Sequence, residues 1–494
     1  MSNKEKVLHA IVVMIGAFMA ILDTTIVDVA LPKMIAPLHT DLYGIQWVVT
    51  AYMISSAVLL PLIEYIESRL GLKNMFVIGI GLFTGASYMC GTSHSLSEII
   101  VFRSIQGAAE ALIMVSAQAI LFSIFENKGT AMGIFGLGAS LAPAAGPTIG
   151  GWLTQHIGWE AIFFVNVPVG ILNTFLSIFF LKNLKTGKHV ESFNLISLLF
   201  VSVSTISIIV LLSNGQKWAW FSSNITLLFL YFAVVSFLLY LISDIYSKNK
   251  LIDLTIFSKR NFLMSFFAYF WILGFSMYAV FYALPLFFEK LKGIESFKTG
   301  LILLPFAISI AVFSAIGGAL SDKKNPRIVL LISTVIYVLG LYFFLLRFDY
   351  YTPKLTAELQ LIVVGVGLGL FFPPVTVIAL SGLEERMLIV ITILDYIRFI
   401  GGSFGTAIAT NILNTRTDYH FDNITFMQSF NAFKIKEFLN SHFLSKPVRE
   451  AILYKSIELQ AFSEAFQDLF FWCIVFTLIG ILFFAVDIRL KGKT

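Results

Sequence analysis

Residues 11–32 read IVVMIGAFMAILDTTIVDVALP. The run is long enough to cross a bilayer as one helix, and it carries two carboxylates, Asp23 near its middle and Asp28 one and a half turns later. A charged group at bilayer depth costs roughly 2.5–3.5 kcal/mol on insertion scales. A chain that keeps two such groups in one helix is expected to use at least one. An intramembrane acid that sheds its charge by binding a proton is the usual component of proton-coupled transport. The run is too long, and too polar at its far end, for a cleaved signal peptide, and no small-residue cleavage site follows it.

The rest of the chain agrees with a membrane reading. Of 494 residues, 58% are hydrophobic and 13% charged, with a mean hydropathy of +0.87. Soluble domains average about 25% charged residues, so the fold class is an all-α polytopic membrane protein whose surroundings are the lipid bilayer. The net charge of +5 does not point to a nucleic-acid partner, because the basic residues sit in short loops between apolar runs. Cys90 and Cys473 both fall inside apolar spans, which argues against a structural disulfide, and no metal-ligand spacing is present. No nucleotide-binding loop occurs, so ATP energy would have to come from another chain. The expectation is a transporter and not an enzyme, with no cofactor and a proton gradient as its energy source.

Apolar runs of about 20 residues fall near 9–31, 44–63, 74–92, 97–122, 130–154, 161–181, 193–213, 223–243, 261–288, 298–320, 327–346, 357–381, 388–411 and 466–487. That is about fourteen transmembrane helices. With the N-terminus inside, lysine and arginine concentrate in the cytoplasmic segments, as at Arg69, Lys73, Lys128, Lys182, Lys323, Lys324, Arg327 and Arg386. The short outer loops hold few, such as Lys33, Lys217 and Lys354, so the positive-inside rule is satisfied and both termini are expected in the cytoplasm. Residues 414–464 read as a polar extracytoplasmic loop with helix-like stretches such as NAFKIKEFLN, too long for a plain connector. A weak repeat, IESRLGLKN after the second span and ALSDKKNPR after the tenth, suggests two related halves. The expected organisation is an N-terminal six-helix half (1–188), two inserted helices (189–250) and a C-terminal six-helix half (251–494) that includes the 414–464 loop.

Several motifs occur in order along the chain: LDTTIVDVALP at 22–32, QWVVTAY at 46–52, RSIQGAAEA at 103–111, GLGASLAPAAGPTIGGWL at 136–153 and FFVNVPVGI at 163–171. LIDLTIF at 251–257, LILLPF at 301–306, GLGLFFPP at 367–374 and RFIGGSFGTA at 398–407 complete the set. Together they resemble the major facilitator superfamily, specifically its fourteen-span drug/proton antiporters of the EmrB and QacA type, over almost the whole length. The resemblance implies a major facilitator fold of two six-helix halves plus two additional helices. It also implies export of amphipathic compounds against protons and, in double-membrane bacteria, a periplasmic adaptor and an outer-membrane channel as partners.

A carboxyl at the depth of Asp23 exchanges charge for a proton or pairs with a cationic substrate, and the resemblance makes it a coupling or recognition residue. Asp28 stands where the family commonly has Asn; a solvated mouth residue and a functional one both stay open. Arg103 cannot readily deprotonate, so it needs a carboxylate partner at similar depth, which Asp23 or Asp28 supplies. Gln106, one turn on, is placed to bond substrate or backbone. Glu110 occupies a position where the family usually has a small residue. It reads as a second protonation site, a recognition carboxylate for cations, or a partner for another helix. Asp395 lies three residues before Arg398 on a shared helix face, so local neutralisation is expected.

Gly138, Pro143, Gly146, Pro147, Gly150 and Gly151 form a small-residue surface with a helix bend, and the resemblance makes this the antiporter motif that seals the cavity against leak. The cytoplasmic turn motif is degraded in the first half, where Glu64 replaces Gly and Ser68 replaces Asp, although Arg69, Gly71 and Lys73 remain. The second copy keeps Asp322 and Arg327, so the gating interaction rests on Glu67 or on that copy. The reading that results is proton-coupled export of amphipathic drug-like compounds across the cytoplasmic membrane. Its rivals are a dedicated exporter of an endogenous metabolite, such as a siderophore or lipid-like compound, and a non-transporting membrane sensor.

Overall fold

Lipid offers no partner to a backbone amide, so each apolar run must satisfy its hydrogen bonds internally as a helix. A computed structural model of the chain describes residues 2–184, 192–430 and 445–491. Its spanning helices are α1 (Asn3–Met34), α2 (Trp47–Leu59), α3 (Ile63–Gly91), α4 (Leu96–Ile124), α5 (Lys128–His156), α6 (Asn166–Phe180) and α7 (Leu195–Asn214). They continue as α8 (Asn224–Tyr246), α9 (Arg260–Leu291), α10 (Ser296–Lys323), α11 (Pro326–Phe343), α12 (Lys354–Leu380), α13 (Met387–Phe430) and α14 (Lys446–Lys491). Start signals are local. Ser2 and Glu5 make a capping box on α1, Ser95 caps α4, and Asn325 caps α11 with Pro326 at its first position.

Among the described residues, thirteen helical segments are long and apolar enough to cross a membrane. One of them, Tyr43–Gly91, is 49 residues long, about 73 Å as a straight helix, more than twice the hydrocarbon thickness. It is broken at Gly71, whose φ of 76° and ψ of 161° lie outside helical space. That break makes two crossings of one segment and brings the total to fourteen. Only a residue without Cβ adopts this φ at little cost.

α1 packs on α4, α5 and α6, and α2 and α3 pack on α4, while α10 and α11 pack on α12, and α13 on α9 and α14. The two groups meet chiefly along α5 and α10. α7 and α8 pack on each other, and α7 packs against α2 and α13, where Thr205 and Tyr396 share a hydroxyl hydrogen bond of 2.6 Å. The outer face of α8 exposes Leu228, Tyr231, Phe237, Leu238 and Ile242, a surface suited to lipid. The expected boundary at 188/189 lies outside the described residues. In α9 the hydrogen bonding widens to a π-helical stretch over Tyr269–Met277. There a Cβ on Gly274 would meet the Gly401 Cα at 2.7 Å, so α9 and α13 approach backbone to backbone.

On either side of residues 431–444 the helix-like stretches expected within 414–464 continue the spanning helices. α13 runs 44 residues and α14 runs 46, each about 65–70 Å long and so well beyond the bilayer core. Their protruding ends lie side by side. Arg416 meets Asp468 at 2.5 Å, and His420 sits between Glu464 at 3.0 Å and Asp468 at 2.7 Å. The Phe421 and Tyr454 rings pack at a tilt of 59° with centroids 5.3 Å apart. Polar helices in water give no hydropathy contrast, which is why a scan for apolar runs passes over them. NAFKIKEFLN, residues 431–440, lies outside the described residues.

Candidate functional site

The site grows from one face of α4. Arg103, Gln106 and Glu110 follow at helical spacing, and all three are buried. Gly107 lets this face approach α2, since a Cβ there would lie 2.1 Å from the Tyr52 carbonyl oxygen. The close approach seats the Arg103 guanidinium 4.1 Å from the Tyr52 ring centroid, while Arg103 Nε donates to the Val48 carbonyl at 3.1 Å.

Arg103 forms a buried salt bridge with Asp23 of α1, so of the two candidate partners the structure selects Asp23. Asp23 Oδ1 also accepts from Gln106 Nε2 at 3.2 Å and Asn166 Nδ2 at 2.8 Å. Gln106 Oε1 accepts from Arg103 Nη1 at 2.9 Å, and its amide donates to Ser87 at 2.5 Å. The expectation that Gln106 bonds substrate or backbone is corrected. Its amide is consumed by side chains, because a buried charge pair needs every remaining lone pair and proton satisfied. Asn166 and Ser87 complete this shell, and sequence reasoning passed over both. The available signal was an Asn inside the otherwise apolar FFVNVPVGI. Asp28, on the same helix as Asp23, is exposed.

A second polar group lies on α13. Asp395 accepts from Gln118 of α4 at 2.7 Å and faces Arg398 one turn on at 3.4 Å. The local neutralisation expected from spacing is present, with a cross-helix bond added to it. Glu110 is buried on α4, with the Tyr52 and Ser56 hydroxyls of α2 as its hydrogen-bonding neighbours.

The glycines of α5 divide between two neighbours. A Cβ on Gly138, Gly146 or Gly150 would strike Met14, Thr25 or Ile26 of α1 at 2.3, 2.1 and 2.8 Å. On the other side, a Cβ added to Gly136 would lie 1.9 Å from the Ser314 hydroxyl of α10, and one added to Gly151 3.0 Å from the Phe297 amide nitrogen. Pro143 and Pro147 lie within this helix. At these glycines α5 approaches both the first half and the second with no side chain between.

At the end that the charge pattern assigns to the cytoplasm, Asp322 of α10 caps α5. It accepts the Gly129 amide at 2.7 Å, the Thr130 amide at 2.7 Å and the Thr130 hydroxyl at 2.6 Å. A carboxylate at a helix N-terminus satisfies orphan amides and complements the helix dipole. The second copy of the turn motif thus makes the inter-half contact. Arg327 donates to Asn261 at 2.7 Å. The first copy binds within its own half: Lys73 donates to the Ile178 carbonyl at 2.7 Å, Arg69 stacks over Tyr65 at 5.5 Å, and Gly71 supplies the turn. Glu67 is buried.

The Major Facilitator Superfamily model matches residues 13–406. The chain belongs to the major facilitator superfamily. It is similar to the multidrug transporter protein MdtP of Bacillus subtilis, 30% identical over 82% of this chain and 74% of that protein. It is similar to the multidrug export protein EmrB of Haemophilus influenzae, 26% identical over 96% of this chain and 94% of the relative. The riboflavin transporter RibZ of Clostridioides difficile is 31% identical over 75% of this chain and 80% of its own length. Superfamily membership and the close approaches of α5 fit a body that rocks one half against the other. The buried Asp23–Arg103 group lies in the first half and the Asp322 clasp crosses between the halves.

Proposed function

We propose that this major facilitator protein is a proton-coupled secondary transporter that exports amphipathic drug-like compounds across the cytoplasmic (inner) membrane, with both termini in the cytoplasm. The observation that carries the reading is the Asp23–Arg103 pair, held in the bundle by Gln106 and Asn166. A proton arriving on Asp23 cancels its charge and leaves Arg103 buried without a counter-ion, a state costing about 3–5 kcal/mol unless the surroundings rearrange. That cost is enough to bias a two-state bundle toward its other conformation. Asp322 and its cap on α5 hold the cytoplasmic side shut, and movement along the α5–α10 seam opens it. The proton gradient supplies the energy, with no bound cofactor and no chemical conversion of the substrate. Two of the relatives are named as multidrug transporters, which supports a broad substrate class.

A dedicated metabolite exporter is the second reading, supported by the similarity to a riboflavin transporter. In a double-membrane cell the protruding ends of α13 and α14 are where a periplasmic adaptor leading to an outer-membrane channel would dock. The test is efflux from cells expressing the chain, against a panel of unrelated amphipathic compounds, with and without a protonophore. Protonophore-sensitive efflux of several unrelated compounds is expected. Efflux of a single compound favours the metabolite reading, and no efflux of any compound by well-expressed protein overturns transport.

A further inference from the structure

A buried hydrogen bond joins the two halves within the bilayer. Gln118 of α4 donates from Nε2 to Asp395 Oδ2 of α13 at 2.7 Å. Gln118 lies about 9 Å along the helix from the last residue of α4, and Asp395 about 12 Å from the first residue of α13. Both of those helix ends fall on the side that the charge pattern assigns to the cytoplasm, as does the Asp322 cap. Gln118 is 4% exposed and Asp395 5%, so water does not take over the bond while the halves stay together.

The other oxygen of Asp395 faces Arg398, one turn on along α13. Oδ1 lies 3.4 Å from Arg398 Nη2, an ion pair longer than a good charge-assisted hydrogen bond. Arg398 Nε is buried and has no hydrogen-bond partner, an uncommon state for a guanidinium nitrogen. Nε–H and one Nη2–H form the side edge of the guanidinium, whose two parallel donors match the two oxygens of a carboxylate. Between Asp395 and Arg398 one arm of that fork is long and the other is unmade. The oxygen the second arm needs, Oδ2, accepts from Gln118 instead. The fork is half built.

We propose that Asp395 is an exchange switch between the halves. With the cytoplasmic ends together, its Oδ2 belongs to Gln118 across the boundary. As the ends part, Arg398 Nε takes that oxygen and completes a bidentate pair within α13, while the Gln118 amide meets the water that enters the gap. A small turn of the carboxylate suffices, because residues 395 and 398 already share a helix face. The exchange keeps the carboxylate partnered in both positions, so opening strands no buried charge. The proposal rests on the transport reading above, in which the halves part at the cytoplasmic side; it concerns how the body opens and not what it carries.

The test is a double-mutant cycle on the full chain in lipid nanodiscs. Spin labels at Glu126→Cys and Glu385→Cys, both exposed just beyond the cytoplasmic ends of α4 and α13, report the open-to-closed ratio by pulsed dipolar spectroscopy. Where the open population is too small for that, the alkylation rate of Ser314→Cys, buried where α10 faces Gly136 of α5, reads the same ratio. Arg398→Lys keeps a charge beside Asp395 but has no side edge, so the ratio should fall about fivefold. Gln118→Met alone should leave it within about twofold of the wild type, and Gln118→Met added to Arg398→Lys should restore it to that range. An unchanged ratio in Arg398→Lys overturns the exchange, as does a fall that Gln118→Met does not reverse. Opening of about tenfold by Gln118→Met alone overturns it too, since the amide would then be a plain latch that nothing replaces. A cryo-electron microscopy structure of Gln118→Met keeps the proposal falsifiable where thermal unfolding shows Arg398→Lys to be misfolded. It should place Arg398 Nε within hydrogen-bonding distance of Asp395, and an Nε still without the carboxylate overturns the switch. A wild type that opens by neither measure overturns it as well. None of these assays uses substrate or a pH gradient, so their result and that of the efflux test stand apart.

Discussion

Replacing Asp322 with Asn tests the cytoplasmic clasp at a single atom. The carboxylate accepts three hydrogen bonds from the first turn of α5, at 2.7, 2.7 and 2.6 Å. Hydrogen bonds to a charged group are worth about 1.5–3 kcal/mol, and neutral ones about 0.5–1.5. Asparagine keeps one oxygen for the Gly129 amide but turns an NH₂ toward the Thr130 amide, and it gives up the charge that complements the helix dipole. The net loss is about 3 kcal/mol, and it falls only on the conformation in which α5 and α10 touch here. At about 1.4 kcal/mol per factor of ten, the closed-to-open ratio should drop on the order of a hundredfold. Spin labels at Glu126→Cys and Lys324→Cys, both exposed, report the separation of the two cytoplasmic ends. Cys90 and Cys473 are buried and should resist labelling. Pulsed dipolar spectroscopy should show a longer-distance population growing in Asp322→Asn. An unchanged distance distribution would refute the reasoning, because the clasp would then not govern closure.

Asp23→Asn should end proton-driven efflux and lower thermal stability by a few kcal/mol, since it strands Arg103; the double variant Asp23→Asn/Arg103→Gln should recover stability in detergent unfolding without recovering transport. Gly146→Ala places a Cβ 2.1 Å from the Thr25 hydroxyl and should cost about 1–3 kcal/mol through overpacking, read as a lower unfolding midpoint and a faster proton leak into vesicles. A topology reporter fused near Phe443 should be active as an extracytoplasmic fusion and silent as a cytoplasmic one. The reverse pattern would overturn the assignment of sides.

What the sequence made legible follows from where membranes impose a cost. An arginine at the depth of Arg103 demands a carboxylate, so a partner on the first span, Asp23 or Asp28, could be reasoned out before any contact was known; the choice between them could not. Fourteen crossings followed from hydropathy, including the two that meet at Gly71. The Asn166 and Ser87 bonds were not legible, because hydrogen-bond partners on separate helices share no spacing in the chain. The Asp322 cap was half visible. The turn motif marked the residue, but its target, the amides of Gly129 and Thr130, lies across the boundary between halves. The long ends of α13 and α14 were half visible as helix-like stretches, but the pairs that join them, such as Arg416–Asp468 and Phe421–Tyr454, register in no hydropathy scan.

The central claim is that substrate and proton move in exchange through the Asp23–Arg103 group. Its most direct test is purified protein in proteoliposomes carrying a pH gradient, with internal pH followed by a fluorescent probe as an amphipathic substrate is added. The account predicts that substrate collapses the gradient with the wild type and leaves it intact with well-folded Asp23→Asn. Substrate uptake by the wild type without proton movement, or equal proton movement by Asp23→Asn, would contradict it.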